Sequence, residues 1–131
     1  MHNGFEPRRG DPFILIVDDE PAVLEVTRTM ACSLGWQPLL ANTAGSALRV
    51  FQDHADSIAH VLVDLHVKGV GGEALVRQLR AIRPDVTIEL MTGDQAAAEE
   101  LLETGVIDGV LLKPFAIDDL EHALDAYPRA A

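Results

Sequence analysis

The stretch Phe13-Ile-Leu-Ile-Val-Asp-Asp-Glu20 decides how this sequence folds. Five consecutive apolar residues without polar alternation are typical of a strand that is covered on both faces, as in a parallel sheet. Three carboxylates follow at once, and helical spacing begins at Pro21, a residue suited to the first turn of a helix. The sequence predicts a buried strand that ends in acidic side chains and leads directly into a helix.

The same alternation of a short apolar run and a stretch with helical spacing recurs along the chain. Thr43 and Asp94 suit helix N-caps, and Gly35 and Gly105 suit helix ends. Five strand-then-helix units with right-handed crossovers predict an α/β fold, a doubly wound parallel sheet with five strands and five helices. The predicted strands are 13–17, 37–41, 60–63, 86–91 and 110–112, and the predicted helices are 21–34, 44–54, 72–83, 95–104 and 117–127.

The composition narrows the class of protein. The chain has 131 residues, about the size of one domain, and 48% of them are hydrophobic. Lys and Arg number 10 against 21 Asp and Glu, a net charge of −11, which disfavours direct binding to nucleic acid. The single cysteine, Cys32, excludes an internal disulfide, and we expect it to be a small buried side chain.

Two short segments flank the predicted domain. Residues 1–12 hold two prolines and two glycines without apolar periodicity, so we expect a flexible arm or linker, then a domain over 13–127 and a tail over 128–131. The apolar runs fall far below the roughly 18 residues that a spanning helix needs. We therefore expect a cytoplasmic protein that makes no membrane contact.

Reactive or ion-binding side chains follow four of the five predicted strands. Asp18 and Asp19 follow the first, Asp64 the third, Thr92 the fourth and Lys113 the fifth. In doubly wound sheets the functional site lies beyond the carboxyl ends of the strands. Three carboxylates in one cleft repel one another unless a cation offsets their charge, and an oxygen-only set of ligands selects Mg²⁺, with Mn²⁺ as a substitute. We expect a magnesium site that handles phosphoryl groups.

Each of these residues also has a purely structural interpretation. Asp18 and Asp19 could simply favour the start of the following helix through its dipole, and Asp64 could be an ordinary turn residue. Thr92 and Lys113, taken singly, are more often structural than functional. Taken together, however, these residues favour the functional interpretation, because successive strand ends carry an acid pair, a single acid, a hydroxyl and a Lys-Pro pair in that order.

The residues resemble the receiver domain of two-component response regulators over essentially the whole of 13–127. The motifs that carry the resemblance are Ile14-Leu-Ile-Val-Asp-Asp-Glu20, Val61-Leu-Val-Asp64, Leu90-Met-Thr-Gly93 and Leu111-Leu-Lys-Pro-Phe115. The resemblance implies a flavodoxin-like strand order, 2-1-3-4-5. It also implies a signalling phosphoacceptor, which assists its own phosphorylation and dephosphorylation, rather than an enzyme with a separate substrate.

The resemblance also implies a role for each site residue. Asp64 would take a phosphoryl group from a phosphohistidine, while Thr92 and Lys113 would bind phosphoryl oxygens. Asp18 and Asp19 would hold Mg²⁺, joined by Asp64 and by the backbone carbonyl of His66. The implied partners are a sensor histidine kinase or a histidine phosphotransfer protein, and a weak homodimer is compatible with the family.

Three positions depart from the family pattern. Lys68 replaces the proline that usually follows the acceptor by four residues, so we expect a more mobile loop. Val110 replaces an aromatic residue that, in the family, swings inward as the threonine moves toward the phosphoryl group. Glu89 is a charged residue in a strand that should be interior. We expect either that its side chain is exposed and leans toward the cleft, or that a partner group contacts it.

Other classes of protein remain open at this point. A flavodoxin-like flavin-binding electron carrier shares the predicted fold, but Asp18-Asp19-Glu20 would repel the phosphate that such a carrier binds after its first strand. An aspartate-nucleophile phosphatase would carry its nucleophile on the first strand, with a second aspartate two positions later in the sequence. Here Asp18 and Asp19 are adjacent. A degenerate receiver that only binds protein would not need all of these groups. The sequence leaves open whether the domain stands alone or belongs to a hybrid kinase or a longer regulator.

Overall fold

The computed structural model describes residues 12–126, in which strands and helices alternate along the chain. The predicted flanking arm, apart from Pro12, and the predicted tail lie outside the described residues, as does Tyr127. The strands are β1 (Phe13–Val17), β2 (Gln37–Ala41), β3 (Ile58–Asp64), β4 (Thr87–Thr92) and β5 (Gly109–Leu112). The helices are α1 (Pro21–Ser33), α2 (Ala44–Asp53), α3 (Gly72–Ile82), α4 (Gln95–Glu103) and α5 (Ile117–Ala126).

The five strands form one parallel sheet in the order β2-β1-β3-β4-β5. This order confirms the predicted doubly wound fold. The strand after β1 is added on one side of it and β3 is added on the other side, so the strand order reverses between β1 and β3. A cleft opens beyond the carboxyl ends of these two strands. The register aligns Val17 with Val63, Asp64 with Met91 and Thr92 with Leu112. The residues that end β1, β3, β4 and β5 therefore lie at one edge of the sheet.

Two layers of apolar side chains cover the sheet. On one face, β-strand residues pack with Phe51 of α2, Leu75 of α3 and Leu101 of α4. On the other face, they pack with Ala31 of α1 and Leu120 of α5. Burying one large side chain such as fully enclosed Phe51 contributes on the order of 2 kcal/mol. The two cores fix the strand ends against one another without any disulfide.

The helix boundaries follow the predicted signals. Thr43 accepts a hydrogen bond from the Ser46 amide at 3.1 Å and forms a reciprocal capping box at the start of α2. Asp94 accepts one from the Ala97 amide at 3.1 Å at the start of α4. Gly35 and Gly105 follow α1 and α4 with φ values of 89° and 78°, which glycine adopts without steric cost.

The largest difference from the predicted elements is the start of β3, which begins at Ile58 rather than at His60. The Arg83 guanidinium donates hydrogen bonds to the Ala55 and Ile58 carbonyls, so backbone acceptors at the start of β3 are satisfied. That contact joins residues far apart in sequence, and a local pattern cannot reveal it. Cys32 is buried, as predicted, and so is Trp36. Within residues 12–126, no helix is long and apolar enough to cross a membrane.

Candidate functional site

Four strand ends bring polar side chains together at one edge of the sheet. Asp18 directly follows β1, Asp64 ends β3, Thr92 ends β4 and Lys113 directly follows β5. Asp18, Asp64 and Thr92 are all at least 96% buried, although the first two carry charge. Buried polar groups are costly unless they are paired, so their contacts with one another matter for both stability and function.

Lys113 links the two buried carboxylates. Its Nζ donates a hydrogen bond to Asp18 Oδ2 at 2.7 Å and lies 3.6 Å from Asp64 Oδ1. Burial lowers the pKa of Lys113, but the hydrogen bond to Asp18 and the nearby carboxylate charges outweigh this effect, so the pKa is raised from its ordinary value. Lys113 therefore carries a fixed positive charge at the centre of the cleft. The peptide bond between Lys113 and Pro114 is cis.

Asp64 is buried in the cleft, with only 4% of the residue exposed. Its Oδ1 accepts a hydrogen bond from the His66 amide at 3.3 Å. Burial raises the pKa of Asp64 above its ordinary value, and the opposing effects of the Lys113 charge and the His66 amide do not cancel this rise. The His66 side chain itself is exposed.

Three consecutive acidic residues form a compact set of oxygen ligands. Among the described residues, the one group of three metal-ligating side chains with ligand atoms all within 4.8 Å is Asp18, Asp19 and Glu20. Asp18 is buried and its Oδ1 accepts a hydrogen bond from the Glu20 amide at 3.0 Å, whereas Asp19 is partly exposed and Glu20 exposed. Carboxylate oxygens beside a buried acid suit a hard divalent cation such as Mg²⁺. Glu20 is an addition to the predicted ligands.

Thr92 contributes a hydroxyl at the same edge. Its side chain is 1% exposed, and its Oγ1 accepts a hydrogen bond from the Asp94 amide at 3.0 Å. The Thr92 hydroxyl also carries a hydrogen that it can donate. The Thr92 carbonyl accepts from the Lys113 amide at 2.9 Å, so these two strand ends are tied to each other through the backbone.

Gly72 is a structural requirement of this site that the sequence did not reveal. A Cβ at this position would lie 2.6 Å from the Asp64 carbonyl oxygen and 2.7 Å from Leu65 Cα. The Gly72 amide donates to the Leu65 carbonyl at 2.9 Å, which folds the loop back onto the end of β3. The only sequence signal was the glycine-rich run 68–72, which on its own indicates no more than a turn.

The three departures from the family pattern have different surroundings. The Lys68 carbonyl accepts from the Ala44 amide at 2.9 Å, which ties the loop to the start of α2. Val110 is partly buried and packs against the core beneath α2, α3 and α4. Glu89 is 2% exposed and lies within β4, three residues before the cleft, so the expected exposed lean toward the cleft is wrong. The reason is that Gly109 beside it leaves room for the side chain.

Comparison with models of protein families shows which family the chain belongs to. A model of the response regulator receiver domain matches residues 14–125. The chain therefore belongs to the response regulator receiver domain family. This confirms the resemblance inferred from the four motifs, and nothing found favours an electron carrier or a phosphatase.

Curated relatives belong to longer regulators. The two-component response regulator ARR14 of Arabidopsis thaliana is 29% identical over 112 residues, which cover 83% of this chain and 29% of that protein. The photosynthetic apparatus regulatory protein RegA of Rhodovulum sulfidophilum is 35% identical over 117 residues, which cover 87% of this chain and 62% of that protein. The chain thus spans less than two thirds of either relative.

Solved structures share the fold. The chemotaxis protein CheY4 of Vibrio cholerae superposes with a TM-score of 0.83 at 19% identity, covering 91% of this chain and 100% of that one. A CheY-like receiver domain from Methylobacillus flagellatus gives a TM-score of 0.79 at 27% identity, covering 91% and 100%. The chain is a receiver domain, and receiver domains are the phosphoacceptors of two-component signalling.

Proposed function

We propose that Asp64 is the residue that accepts the phosphoryl group, from a phosphohistidine of a sensor histidine kinase or a histidine phosphotransfer protein. One observation carries the assignment: Lys113 Nζ lies 2.7 Å from Asp18 and 3.6 Å from Asp64 at the one edge where four strand ends meet. This contact supplies a positive charge beside an acid that would otherwise be unsuited to receive an anion.

The chemical step is a transfer between two nucleophiles. An Asp64 carboxylate oxygen attacks phosphorus, a P–O bond forms, and the P–N bond of the phosphohistidine breaks with its electron pair left on the imidazole nitrogen. Phosphoryl transfer of this kind asks the protein mainly for positioning and charge neutralisation. The depth of Asp64 in the cleft and its hydrogen bond from the His66 amide support the positioning part.

The acidic cluster suits a divalent cation. When bound, Mg²⁺ or Mn²⁺ would neutralise charge on the phosphoryl oxygens and help to orient them. Asp18 and Asp19 would hold the cation together with Asp64 and the His66 carbonyl, and Glu20 is near enough to join them.

Lys113 and Thr92 would bind the incoming phosphoryl oxygens. Lys113 offers a permanent positive charge, and Thr92 offers a hydroxyl that is buried and already oriented by the Asp94 amide. Charge-assisted hydrogen bonds of this type are about twice as strong as neutral ones. The same groups would stabilise the product at Asp64.

The test supplies a phosphorylated histidine kinase or phosphotransfer protein, Mg²⁺ and the chain, and follows the label. We expect transfer to the wild-type chain, no transfer to Asp64→Asn, and loss of transfer on chelation of the cation. Asp53→Asn is a matched control, because Asp53 is exposed at the end of α2, away from the cleft.

A panel of candidate donors also identifies the partner, since the cognate kinase should transfer fastest. Labelling of Asp64→Asn to the same extent as Asp53→Asn would contradict the assignment of the acceptor. Transfer that is unaffected by chelation would contradict the role of the cation alone.

A further inference from the structure

A second polar site lies away from the phosphoryl cleft, where the edge strand β5 meets α5. Glu89 lies in the middle of β4, opposite Gly109 of β5. A Cβ on Gly109 would fall 2.6 Å from Glu89 Oε2 and 2.8 Å from Oε1. The Glu89 carboxylate therefore lies over the backbone of Gly109 and reaches toward the outer edge of the sheet.

The carboxylate of Glu89 opens into a cavity. The cavity has a volume of about 570 Å³, and Glu89 and Gly109 contribute to its lining. Val110, Leu111 and Leu112 form one wall, and Asp119, His122 and Ala123 of α5 form the other. Within the described part of the chain, Glu89 is 2% exposed and has neither a hydrogen bond nor an ion pair.

An unpaired acid at this depth is costly, and its surroundings add to the cost. Asp108, immediately before β5, acts on Glu89 through its negative charge, and Asp119 adds a second acid at the rim. The Arg80 guanidinium pairs with Asp108 at 3.0 Å and so partly offsets that charge. The site as it stands therefore attracts positive charge to Glu89.

The geometry distinguishes among cations. Glu89, Asp119 and His122 do not form a compact set of ligand atoms, because within residues 12–126 only the Asp18 cluster brings three such atoms within 4.8 Å of one another. A small metal ion needs several ligands at short distance. A long cation with an apolar stem needs one acid at the end of an apolar channel, since such side chains bury the stem and pair the head.

We propose that this cavity binds an organic cation, a guanidinium or alkylammonium group on an apolar stem, with its head against the Glu89 carboxylate and its stem along Leu111 and Ala123. The group comes either from a small molecule or from an arginine or lysine side chain of a partner protein. The site is separate from the phosphoryl cleft and does not depend on the proposed phosphotransfer.

Protonation of Glu89 competes with this cation. Burial, with the Asp108 charge, raises the pKa of Glu89 from 4.5 to about 7. Besides Asp108 and its partner Arg80, the titratable groups that line the cavity are Asp119 and His122 on α5. His60 lies on the neighbouring strand β3, two residues before Leu62, which pairs with Glu89. Because only ionised Glu89 pairs with the cation, affinity should rise about tenfold between about pH 6 and about pH 8.

The experiment titrates the full chain with butylguanidinium and follows backbone amides and glutamate side-chain carboxyl carbons by NMR. We expect saturable shifts at Glu89 and across Gly109–Leu112, in the millimolar range typical of a fragment-sized ligand. N-butylurea, which is similar in shape but neutral, should give no saturable shift. N-acetylarginine methylamide is a second arm: tighter binding than butylguanidinium assigns the site to a protein side chain, and weaker binding to a small molecule.

Glu89→Gln should lower the affinity about tenfold or more, whereas Glu100→Gln, an exposed acid on α4, should leave it unchanged. The pH dependence is measured on the wild-type chain and so does not depend on how any variant folds. Equal binding of N-butylurea, unchanged binding by Glu89→Gln, or no saturable shift at about pH 8 would each overturn the proposal.

Discussion

Two buried ionisable side chains, His60 and Glu89, lie on the sheet face that packs against α1 and α5, outside the phosphoryl cleft. Both nitrogens of His60 lack a hydrogen-bond partner in the described structure, and its ring meets the edge of Trp36 at 5.9 Å between centroids. Burial lowers the pKa of His60 from 6.5 to about 4, and burial raises that of Glu89 from 4.5 to about 7. Both groups therefore favour the neutral form in the folded state.

The two shifts have opposite consequences for stability. The pKa of Glu89 is higher in the folded state than in the unfolded state, so the neutral carboxyl group adds to the free energy of unfolding. This stabilisation is fully present below about pH 4.5 and is lost as pH rises through about 7. The pKa of His60 is lower in the folded state than in the unfolded state. The stabilisation that the neutral imidazole contributes is therefore fully present above about pH 6.5 and is lost as pH falls toward 4. The two effects oppose each other in the range where both titrate.

Glu89→Gln isolates the effect of the carboxylate, because His60 is present in both proteins. At about pH 8 the variant should be more stable than the wild type by up to roughly 3 kcal/mol, since it avoids an ionised buried acid. At about pH 4 the two should be nearly equal. Denaturant unfolding at several pH values measures the difference, with Glu100→Gln as the exposed control. A difference that does not change with pH would contradict this account of Glu89.

At the scale of single elements, the loop between β3 and α3 is shaped by Gly72, which lies against the backbone of Asp64 and Leu65. Gly72→Ala places a methyl group at a distance that real contacts do not reach, so the end of β3 must shift. We expect a loss of stability of about 1–3 kcal/mol, as for overpacking. Phosphorylation at Asp64 should slow at least about tenfold, because small misplacements are costly in catalysis.

Gly45→Ala is the matched control for this change. Gly45 lies in α2 with no atom within 4 Å of its would-be Cβ, so the substitution should be neutral or stabilising. Labelling rates and denaturant unfolding are measured on both variants. If Gly72→Ala is phosphorylated at the rate of Gly45→Ala, Gly72 does not position Asp64.

The start of α4 combines a structural and a proposed functional role in Asp94. Its carboxylate caps the helix through the Ala97 amide, and its own amide donates to Thr92 Oγ1. In the family, residues two after the acceptor and two after the threonine flank the attacking water, here His66 and Asp94. If Asp94 orients that water, Asp94→Asn should keep the cap and its stability but slow loss of phosphate severalfold.

Asp94→Ala separates the two roles, because it removes the cap as well and should cost about 1 kcal/mol of stability. The decay of phosphorylated protein after removal of donor and the unfolding free energy are measured for both variants. A decay rate unchanged in Asp94→Asn would leave the capping role alone.

The elements were predictable because their signals are local. The continuous apolar run before Asp18, the cap at Thr43 and the glycines after the helices each act within a few residues, and the structure has each element within two residues of its predicted bounds. The strand-end residues were also predictable, because parallel strands carry their carboxyl ends to one edge.

The remaining features depend on residues that are far apart in the sequence. Glu89 is accommodated because Gly109, twenty positions later, lacks a side chain, and no local pattern carries that information. The clash that forbids a side chain at Gly72 arises from how the loop folds back on β3. Glu20 is the exception, because it is adjacent to Asp18 and Asp19 in the sequence, and only the turn geometry shows that its carboxylate lies beside theirs.

At the scale of the whole molecule, the resemblance to receiver domains implies that a signal from Asp64 reaches the surface formed by α4, β5 and α5. Thr92 is tied to β5 through the Lys113 amide, but Val110 is β-branched and packs into the core, so it cannot swing between surface and interior. A ligand shifts a conformational equilibrium only by its differential affinity for the two states. We expect weak coupling, which suits a phosphate relay or phosphate sink.

Beryllofluoride, a mimic of the phosphoryl group, should therefore perturb amide resonances mainly around Asp64, Thr92 and Lys113, with small changes along α5. Val110→Tyr, which restores an aromatic residue, should extend the changes into α4 and α5. Shifts across α4 and α5 of the wild type as large as those in the cleft would mean that another residue carries the signal.

The central claim, that Asp64 accepts the phosphoryl group, is tested most directly by chemical mapping of the modified residue. The chain is phosphorylated with acetyl phosphate and Mg²⁺, reduced with borohydride and digested, and the peptides are analysed by mass spectrometry. Borohydride converts an aspartyl phosphate to homoserine, so the account predicts homoserine at position 64 in the wild type and none in Asp64→Asn. Homoserine at Asp18, Asp19 or any other aspartate, with Asp64 unmodified, would contradict it.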